Sequence, residues 1–492
     1  MTQDDLPYTE KARKLILPSF ALTEICEASD TGAVRTSFPN GEHELVVYER
    51  PKSTEDGRRV HGKQKSTGSQ FNLFPLILCA SSVPWTEATL YILHRLESVI
   101  DPVMSTFSGI ADDLTAYRRF LDEEMIDWDS FPAQKLARPT YRYSSYLKAA
   151  VYSGEIAVSS ARRRMGAIIA FYKWLKSEGI FAPANTPWKE RDIYLKLKGS
   201  QGFEFTQRAT LTDISIKMPK QFDPYDGCIN DGGKLRPLSS IEQRYLTEAL
   251  CAQRNTEMTL IHLFSLLTGA RIQSVLTFRV QHVRRLAVEY KDDNSSFDIR
   301  CPIGPGTGVD TKLNKQMSLH IPNWFVGLLL TYVDSERAKK RRALASGGDK
   351  EQQYLFLSKY GSPFYSSREE MRAFDSRSER RHPIKGQSVR KFMSEVIIPY
   401  VRERYDPQFR YQFHDLRASF GMNLTDSQMK LVERKKRTLH QVREFVKVRM
   451  GHASASTTDC YLQYRGNLSH LQHITDDHDG FLRGLAMEAK LF

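Results

Sequence analysis

Four short segments in the second half of the chain bring together arginine, lysine, histidine and tyrosine, side chains that suit chemistry at a phosphate group. They are Thr268-Gly-Ala-Arg271, Thr311-Lys-Leu-Asn-Lys315, His414-Asp-Leu-Arg417, and Gly451-His452 followed by Tyr461. Two arginines can hold the non-bridging oxygens of one phosphodiester and offset the charge that grows in the transition state. Histidines and a lysine can transfer protons, and a tyrosine can attack phosphorus. Together, these residue types suit a single phosphoryl-transfer reaction.

The spacing within the segments indicates how the backbone must present these residues. His414 and Arg417 lie three positions apart, so on a helix they share a face and can reach the same phosphate. His452 and Tyr461 lie nine positions apart and would diverge on one continuous helix. We therefore expect a helix break near Ser454 to Thr457, with Tyr461 on the next helix.

Helical periodicity dominates the chain from Val83 onward. The predicted helices of the first half are Pro84 to Ile100, Ala111 to Glu124, Tyr141 to Tyr152 and Ser159 to Glu178. Short alternating runs follow in 187–235 and indicate a hairpin-bearing linker. Ser239 and Glu242 have the spacing of a capping box at the start of a new, mostly helical domain.

Three strands are predicted within that last domain, and they imply one small sheet. They are Ala287 to Tyr290, Phe297 to Cys301 and Met317 to Ile321, the last two joined by Gly304-Pro-Gly-Thr-Gly308. The predicted fold class is mainly α with a small antiparallel β-sheet. Four parts follow: an N-terminal appendage or arm at 1–80, a helical module at 81–186, the linker at 187–235, and a catalytic domain with a C-terminal tail helix at 236–492.

Composition and charge narrow the class of protein. The 492 residues are 40% hydrophobic, and 71 Lys+Arg against 58 Asp+Glu leave a formal net charge of +13. Such an excess points first to a polyanionic partner, because lysine and arginine displace counterions from phosphates. The apolar stretches are shorter than the roughly 18 residues of a membrane span, and no signal peptide is recognisable, so we expect a cytoplasmic protein without membrane contact.

The ordered motifs resemble those of the tyrosine recombinase (phage integrase) family. That family's pattern is Thr-Gly-x-Arg, a lysine on a strand turn, His-x-x-Arg, Gly-His, and a tyrosine nine residues beyond that histidine. The matching residues here are Arg271, Lys312, His414, Arg417, His452 and Tyr461, in that order. The helical module at 81–186 looks like the family's core-binding domain. Ser274 stands where many relatives carry an acidic residue.

The resemblance implies a site-specific DNA recombinase or integrase, of the kind found in mobile genetic elements, that breaks and rejoins DNA through a 3′-phosphotyrosyl intermediate. Tyr461 would be the nucleophile, Arg271 and Arg417 the phosphate clamp, and His414 the proton acceptor. Lys312 would be the acid for the leaving oxygen, and His452 a further donor to the phosphate. No cofactor, metal or ATP is implied. The expected partners are double-stranded DNA and further copies of the chain, in a tetramer on two DNA sites.

The sequence leaves several alternatives open. Lys315 competes with Lys312 for the role of acid, and Tyr464 is a rival nucleophile that the spacing from His452 disfavours. His470, His473 and the acidic residues that follow them could form a metal cluster, although such residues are usually solvated. A type IB topoisomerase or resolvase-like enzyme would use the same chemistry. A catalytically impaired DNA-binding accessory or regulatory protein is the alternative from another class.

Overall fold

The computed structural model describes residues 11–21, 34–37, 44–47, 70–100, 102–198, 204–217, 226–292, 297–371 and 383–467. The chain divides into two compact units. The first comprises 1–220 with 371–382, and the second comprises 221–370 with 383–492. The predicted tail helix, the histidines at 470–478 and residues 372–382 lie outside the described residues.

The first unit packs four helices with strands from the N-terminal segment. Its elements are β1 (Arg13–Ala21), β2 (Val34–Ser37), β3 (Glu44–Val47), β4 (Gln70–Leu78), α1 (Thr86–Glu97), α2 (Met104–Glu123), α3 (Pro139–Tyr152), α4 (Val158–Ser177), β5 (Glu190–Lys198) and β6 (Glu204–Thr212). All four predicted helices are present. On α4, Met165, Ile168, Tyr172 and Leu175 are buried, as the helical spacing of apolar residues requires.

Two strands of the N-terminal segment belong to the core of this unit. Strand β1 pairs antiparallel with β4, with Arg13 opposite Leu78 and Ala21 opposite Gln70. Phe71, Phe74 and Ile77 on β4 are buried among the helices. Strands β5 and β6 form the antiparallel hairpin expected between the helical module and the second unit. The four-part division of the chain stays a prediction.

The second unit contains the remaining described elements. They are β7 (Ile229–Asn230), β8 (Lys234–Leu235), α5 (Ser240–Ala252), α6 (Thr256–Thr268), α7 (Ile272–Leu276), α8 (Val280–Leu286), β9 (Asp298–Ile303), β10 (Met317–Pro322), α9 (Asn323–Asp334), α10 (Glu336–Leu344), α11 (Gln387–Phe392), α12 (Ile398–Arg404), α13 (Asp415–Glu433), α14 (Leu439–Met450) and α15 (455–467). A π-helical turn, Met393–Ile397, joins α11 to α12. The capping box predicted from Ser239 and Glu242 opens α5.

The small sheet is formed by two of the three predicted strands. Strands β9 and β10 pair antiparallel, with Met317 opposite Ile303. The strand predicted at Ala287 to Tyr290 is wrong, because Ala287 caps α8 and donates its backbone N–H to Val283, so the chain turns instead of extending. Val288 is exposed at this turn.

The fold class is mainly α with small antiparallel sheets, as predicted. Each of the five sheets in the described residues has two strands. No helix in the described ranges combines the length and the apolar character needed to cross a membrane.

Candidate active site

Arg417 is the most completely bonded residue of the predicted set. Helices α6 and α14 both end at glycines in the left-handed conformation, Gly269 at φ 68° and Gly451 at φ 63°. Such ends leave carbonyl groups free to accept hydrogen bonds. Arg417, in the first turn of α13, donates to the carbonyls of Gly269 and Met450, each at 2.8 Å. The Thr-Gly and Gly-His motifs therefore form two helix ends that hold one guanidinium, which is 1% exposed.

Arg271 follows Gly269 by two residues and occupies the N-cap position of α7. Its Nη2 lies 3.3 Å from Oδ1 of Asp231. Its buried Nε has no hydrogen-bond partner within the described part of the chain. Burial and the neighbouring charge of Arg417 lower the pKa of Arg271 to about 10, so it remains cationic at neutral pH. One donor of the Arg271 guanidinium is therefore left unsatisfied in a buried position.

His452 and Tyr461 meet across the break between α14 and α15. The chain is non-helical at 451–454, so the break lies slightly before the predicted position and Tyr461 is on the next helix. The two rings stack with centroids 5.6 Å apart. His452 Nδ1 lies 2.9 Å from Thr458 Oγ1, and its Nε2 lies 3.2 Å from Asp231 Oδ2. Because the carboxylate can only accept, the network assigns the ring proton to Nε2.

Tyr461 is enclosed completely, with an exposed fraction of 0%. Its hydroxyl donates to Asp231 Oδ2 at 3.1 Å. Burial and the charge of Asp231 raise the pKa of Tyr461 well above its ordinary value. One edge of the ring lies against Gly421 of α13, where an added Cβ would stand 2.3 Å from Tyr461 Cε1. A glycine at 421 therefore makes room for the predicted nucleophile.

Asp231 is the centre of this arrangement. It lies between β7 and β8 and is 3% exposed. Its Oδ2 also accepts from Arg417 Nε at 2.8 Å, so four of the predicted site residues contact one carboxylate. Burial alone would raise the pKa of Asp231, but the His452 hydrogen bond and the charges of both arginines hold it well below its ordinary value. The carboxylate is therefore an anion held by donors of Arg271, Arg417 and His452, three residues that we call the cradle.

Both lysines of the β9–β10 turn reach this region. Lys312 Nζ lies 3.4 Å from the carbonyl of Gly232, and Lys315 Nζ donates to the carbonyl of Gly451 at 2.8 Å. Gly232 has φ 70°, and a Cβ on it would stand 2.3 Å from Lys312 Nζ, so the lysine packs against the backbone of the β7–β8 turn. Lys312 and Lys315 are exposed and share a cavity of about 20 Å³ with both arginines. The structure brings both candidates for the acid to the site.

His414 lies at the N-cap of α13 instead of within the helix. It lines a cavity of about 520 Å³ together with Gly232 and Gly233. Burial, followed by the charges of Arg271 and Arg417, lowers the pKa of His414 to about 4. The ring is therefore neutral at physiological pH and able to accept a proton.

The chain has a structural likeness to several solved proteins, while no family model and no curated protein matches it. The XerH site-specific recombinase bound to palindromic difH substrate is 13% identical, with a TM-score of 0.43 over 81% of this chain and 92% of that chain. The Tn1549 transposon integrase with circular intermediate DNA is 12% identical, with a TM-score of 0.40 over 76% of this chain and 94% of that chain. A lambda integrase tetramer bound to a Holliday junction is 12% identical, with a TM-score of 0.35 over 92% of this chain and 97% of that chain.

The solved proteins named above are a site-specific recombinase and two integrases. The resemblance of the motifs to the tyrosine recombinase family rests on the sequence alone.

The structure also shows the surroundings of Tyr464, the rival nucleophile, and of Ser274. The Tyr464 hydroxyl lies 3.4 Å from the carbonyl of Gly227, whereas that of Tyr461 points at the cradle. The Ser274 hydroxyl donates to the carbonyl of Asp310 at 2.7 Å. Among the described residues, no group of three or more His, Cys, Asp and Glu is placed to hold a metal ion.

Sequence reasoning missed Asp231 and Gly421. Asp231 stands in Asn230-Asp-Gly-Gly233, a pattern typical of a solvated turn, and nothing in that pattern indicates burial. The sequence signal for Gly421 is its position four residues after Arg417, on the same face of α13.

Proposed function

We propose that this chain cleaves and rejoins DNA through a covalent bond between Tyr461 and a DNA 3′-phosphate. The observation that carries the proposal is the convergence of Arg271, Arg417, His452 and Tyr461 on a single carboxylate, because an anion already occupies the point where four phosphate-binding or reacting groups meet. The carbonyls of Gly269 and Met450 already hold the Arg417 guanidinium in place. The guanidinium therefore needs no reorganisation when charge develops on phosphorus.

The proposed reaction is an exchange of two phosphate esters. The Tyr461 oxygen attacks phosphorus and loses its proton while the bond from phosphorus to the 5′-oxygen breaks. His414 accepts the tyrosine proton as the attack proceeds, since its ring is neutral at physiological pH. Lys312 supplies the proton that converts the leaving oxygen to a 5′-hydroxyl, while Arg271 and Arg417 hold the non-bridging oxygens.

The reverse reaction restores the DNA. A 5′-hydroxyl from a partner strand attacks the phosphotyrosine and releases Tyr461, so the bond energy is retained and the cycle uses neither ATP nor a metal ion. The partner of the chain would be duplex DNA. The resemblance of the motifs implies a homotetramer on two DNA sites.

Covalent capture tests this proposal. Incubated in EDTA with a nicked suicide duplex carrying its site, the protein should form an adduct that survives SDS. Tyr461→Phe should abolish the adduct and leave duplex binding unchanged, since only the attacking oxygen is removed. Tyr464→Phe is the matched control, because it removes a hydroxyl one helical turn away, and it should form the adduct normally. The opposite result would transfer the nucleophile to Tyr464, and loss of the adduct in EDTA would refute the metal-free reaction.

A further inference from the structure

The Asp231 carboxylate occupies the cradle that the proposed function assigns to DNA. Its two oxygens accept hydrogen bonds from Arg271, Arg417, His452 and Tyr461, at distances of 2.8 to 3.3 Å. A phosphodiester has two non-bridging oxygens and needs the same donors. The carboxylate therefore stands in, chemically, for the phosphate.

The two anions cannot occupy the cradle together. Asp231 Oδ2 is bonded by three groups at once, and a phosphate oxygen at that point would overlap it and repel it. The Tyr461 hydroxyl, moreover, is committed to the carboxylate and buried with it. A phosphodiester can reach Tyr461 only after Asp231 withdraws.

Asp231 is poorly suited to act as the base for Tyr461. The pKa of Asp231 lies well below its ordinary value, so the carboxylate has little tendency to take a proton from a phenol whose own pKa is raised. Its effect on Tyr461 is to hold the hydroxyl in place and keep it neutral.

The segment that carries Asp231 is short and lies beside open space. Strands β7 and β8 pair through only two residue pairs, and Gly232 and Gly233 follow Asp231 directly. Residues 232–235 line the cavity of about 520 Å³, together with Arg390, Tyr411 and His414. Withdrawal of Asp231 would require this turn to move, and the cavity beside it offers space.

We propose that the β7–β8 hairpin is an autoinhibitory latch, in which Asp231 occupies the phosphate cradle until a DNA phosphodiester displaces it. This inference rests on the proposed function, because the ligand that opens the latch is the substrate of that reaction. The latch keeps Tyr461 enclosed in the free protein and exposes it only where DNA supplies the competing anion.

Inorganic phosphate is the first probe of the latch, compared with sodium chloride at equal ionic strength. Asp231→Asn keeps the shape of the side chain and removes its charge, so phosphate should raise the melting temperature of this variant by several degrees and barely change that of the wild type. Asp226→Asn is the matched control, because Asp226 precedes the same hairpin and pairs with Lys234 outside the cradle. It should behave as the wild type does. Equal increases in melting temperature on adding phosphate to the wild type, Asp231→Asn and Asp226→Asn would overturn the latch.

Cleavage kinetics and hydrogen exchange are the second and third measurements. Asp231→Asn should form the adduct with the nicked duplex on the order of tenfold faster than the wild type, and slower formation would make Asp231 a positioning residue instead. In the wild type, duplex DNA should increase amide exchange in 226–235, a result that does not depend on how well any variant folds. Unchanged or reduced exchange there would also refute the latch.

The outcomes separate this inference from the proposed function. One outcome is that neither the wild type nor Asp231→Asn forms an adduct, while phosphate raises the melting temperature of Asp231→Asn alone. The proposed function then fails, and the competition between Asp231 and an anion stands. If the wild type forms the adduct and phosphate shifts the melting temperatures of the wild type and of Asp231→Asn equally, the proposed function stands and the latch fails.

Discussion

Replacing Arg417 by lysine tests how much stability the protein gains from the contacts of one guanidinium with the C-terminal ends of α6 and α14. The three hydrogen bonds of Arg417, each 2.8 Å long, go to Asp231, Gly269 and Met450 in different directions. A lysine ammonium at the end of a flexible stem keeps the charge but cannot span all three acceptors. At least two acceptors would lose their partner in a buried site.

The magnitude follows from those bonds. Hydrogen bonds to a charged group contribute about 1.5–3 kcal/mol each, so losing two should destabilise the second unit by about 3–6 kcal/mol. Arg284→Lys is the matched control, because Arg284 pairs with Asp334 through side chains that are 39% and 55% exposed. Exposed ion pairs contribute about 1 kcal/mol or less.

Urea denaturation of the wild type and both variants measures the difference, and the nicked-duplex assay measures cleavage. We expect a clear loss of unfolding free energy for Arg417→Lys, little change for Arg284→Lys, and adduct formation by Arg417→Lys reduced by a factor on the order of 100. If the two variants lost equal stability, the anchoring of the helix ends by Arg417 would be refuted. If duplex affinity fell as much as cleavage, Arg417 would be a general DNA contact.

Three further predictions concern the groups around the cradle. Gly421→Ala places a methyl group against the Tyr461 ring, so unfolding free energy should fall by about 1–3 kcal/mol and adduct formation with it, and an unaffected variant would contradict the packing. Lys312→Ala should be rescued by a 5′-bridging phosphorothiolate, whose sulfur leaves without a proton, whereas rescue of Lys315→Ala alone would transfer the acid role to Lys315. Because the pKa of His414 is lowered to about 4, cleavage should stay level from pH 8 to about 5 and fall as pH drops through 4, and a midpoint near 6.5 in the pH profile would count against His414 as the acceptor.

Local patterns in the sequence were enough to predict much of the architecture. The four helices of the first unit follow from apolar spacing, and the start of α5 follows from Ser239 and Glu242. Short-range rules work here because the residues that form a capping box or an amphipathic face lie close together along the chain. The same rules failed at Ala287 to Tyr290, where a short, largely apolar run follows the end of a helix instead of forming a strand.

The order and type of the motif residues also come from the sequence, and they are enough to indicate the chemistry. Only the tertiary structure could reveal Asp231 as their common partner. The residue lies 40 positions from Arg271, 186 from Arg417, 221 from His452 and 230 from Tyr461. A pattern along the chain reports which face a residue occupies, whereas a contact at such separations depends on how helices pack and on where α6 and α14 end. Asn230-Asp-Gly-Gly233 is in sequence an ordinary turn, and the packing of four distant segments around it makes its carboxylate the centre of the site.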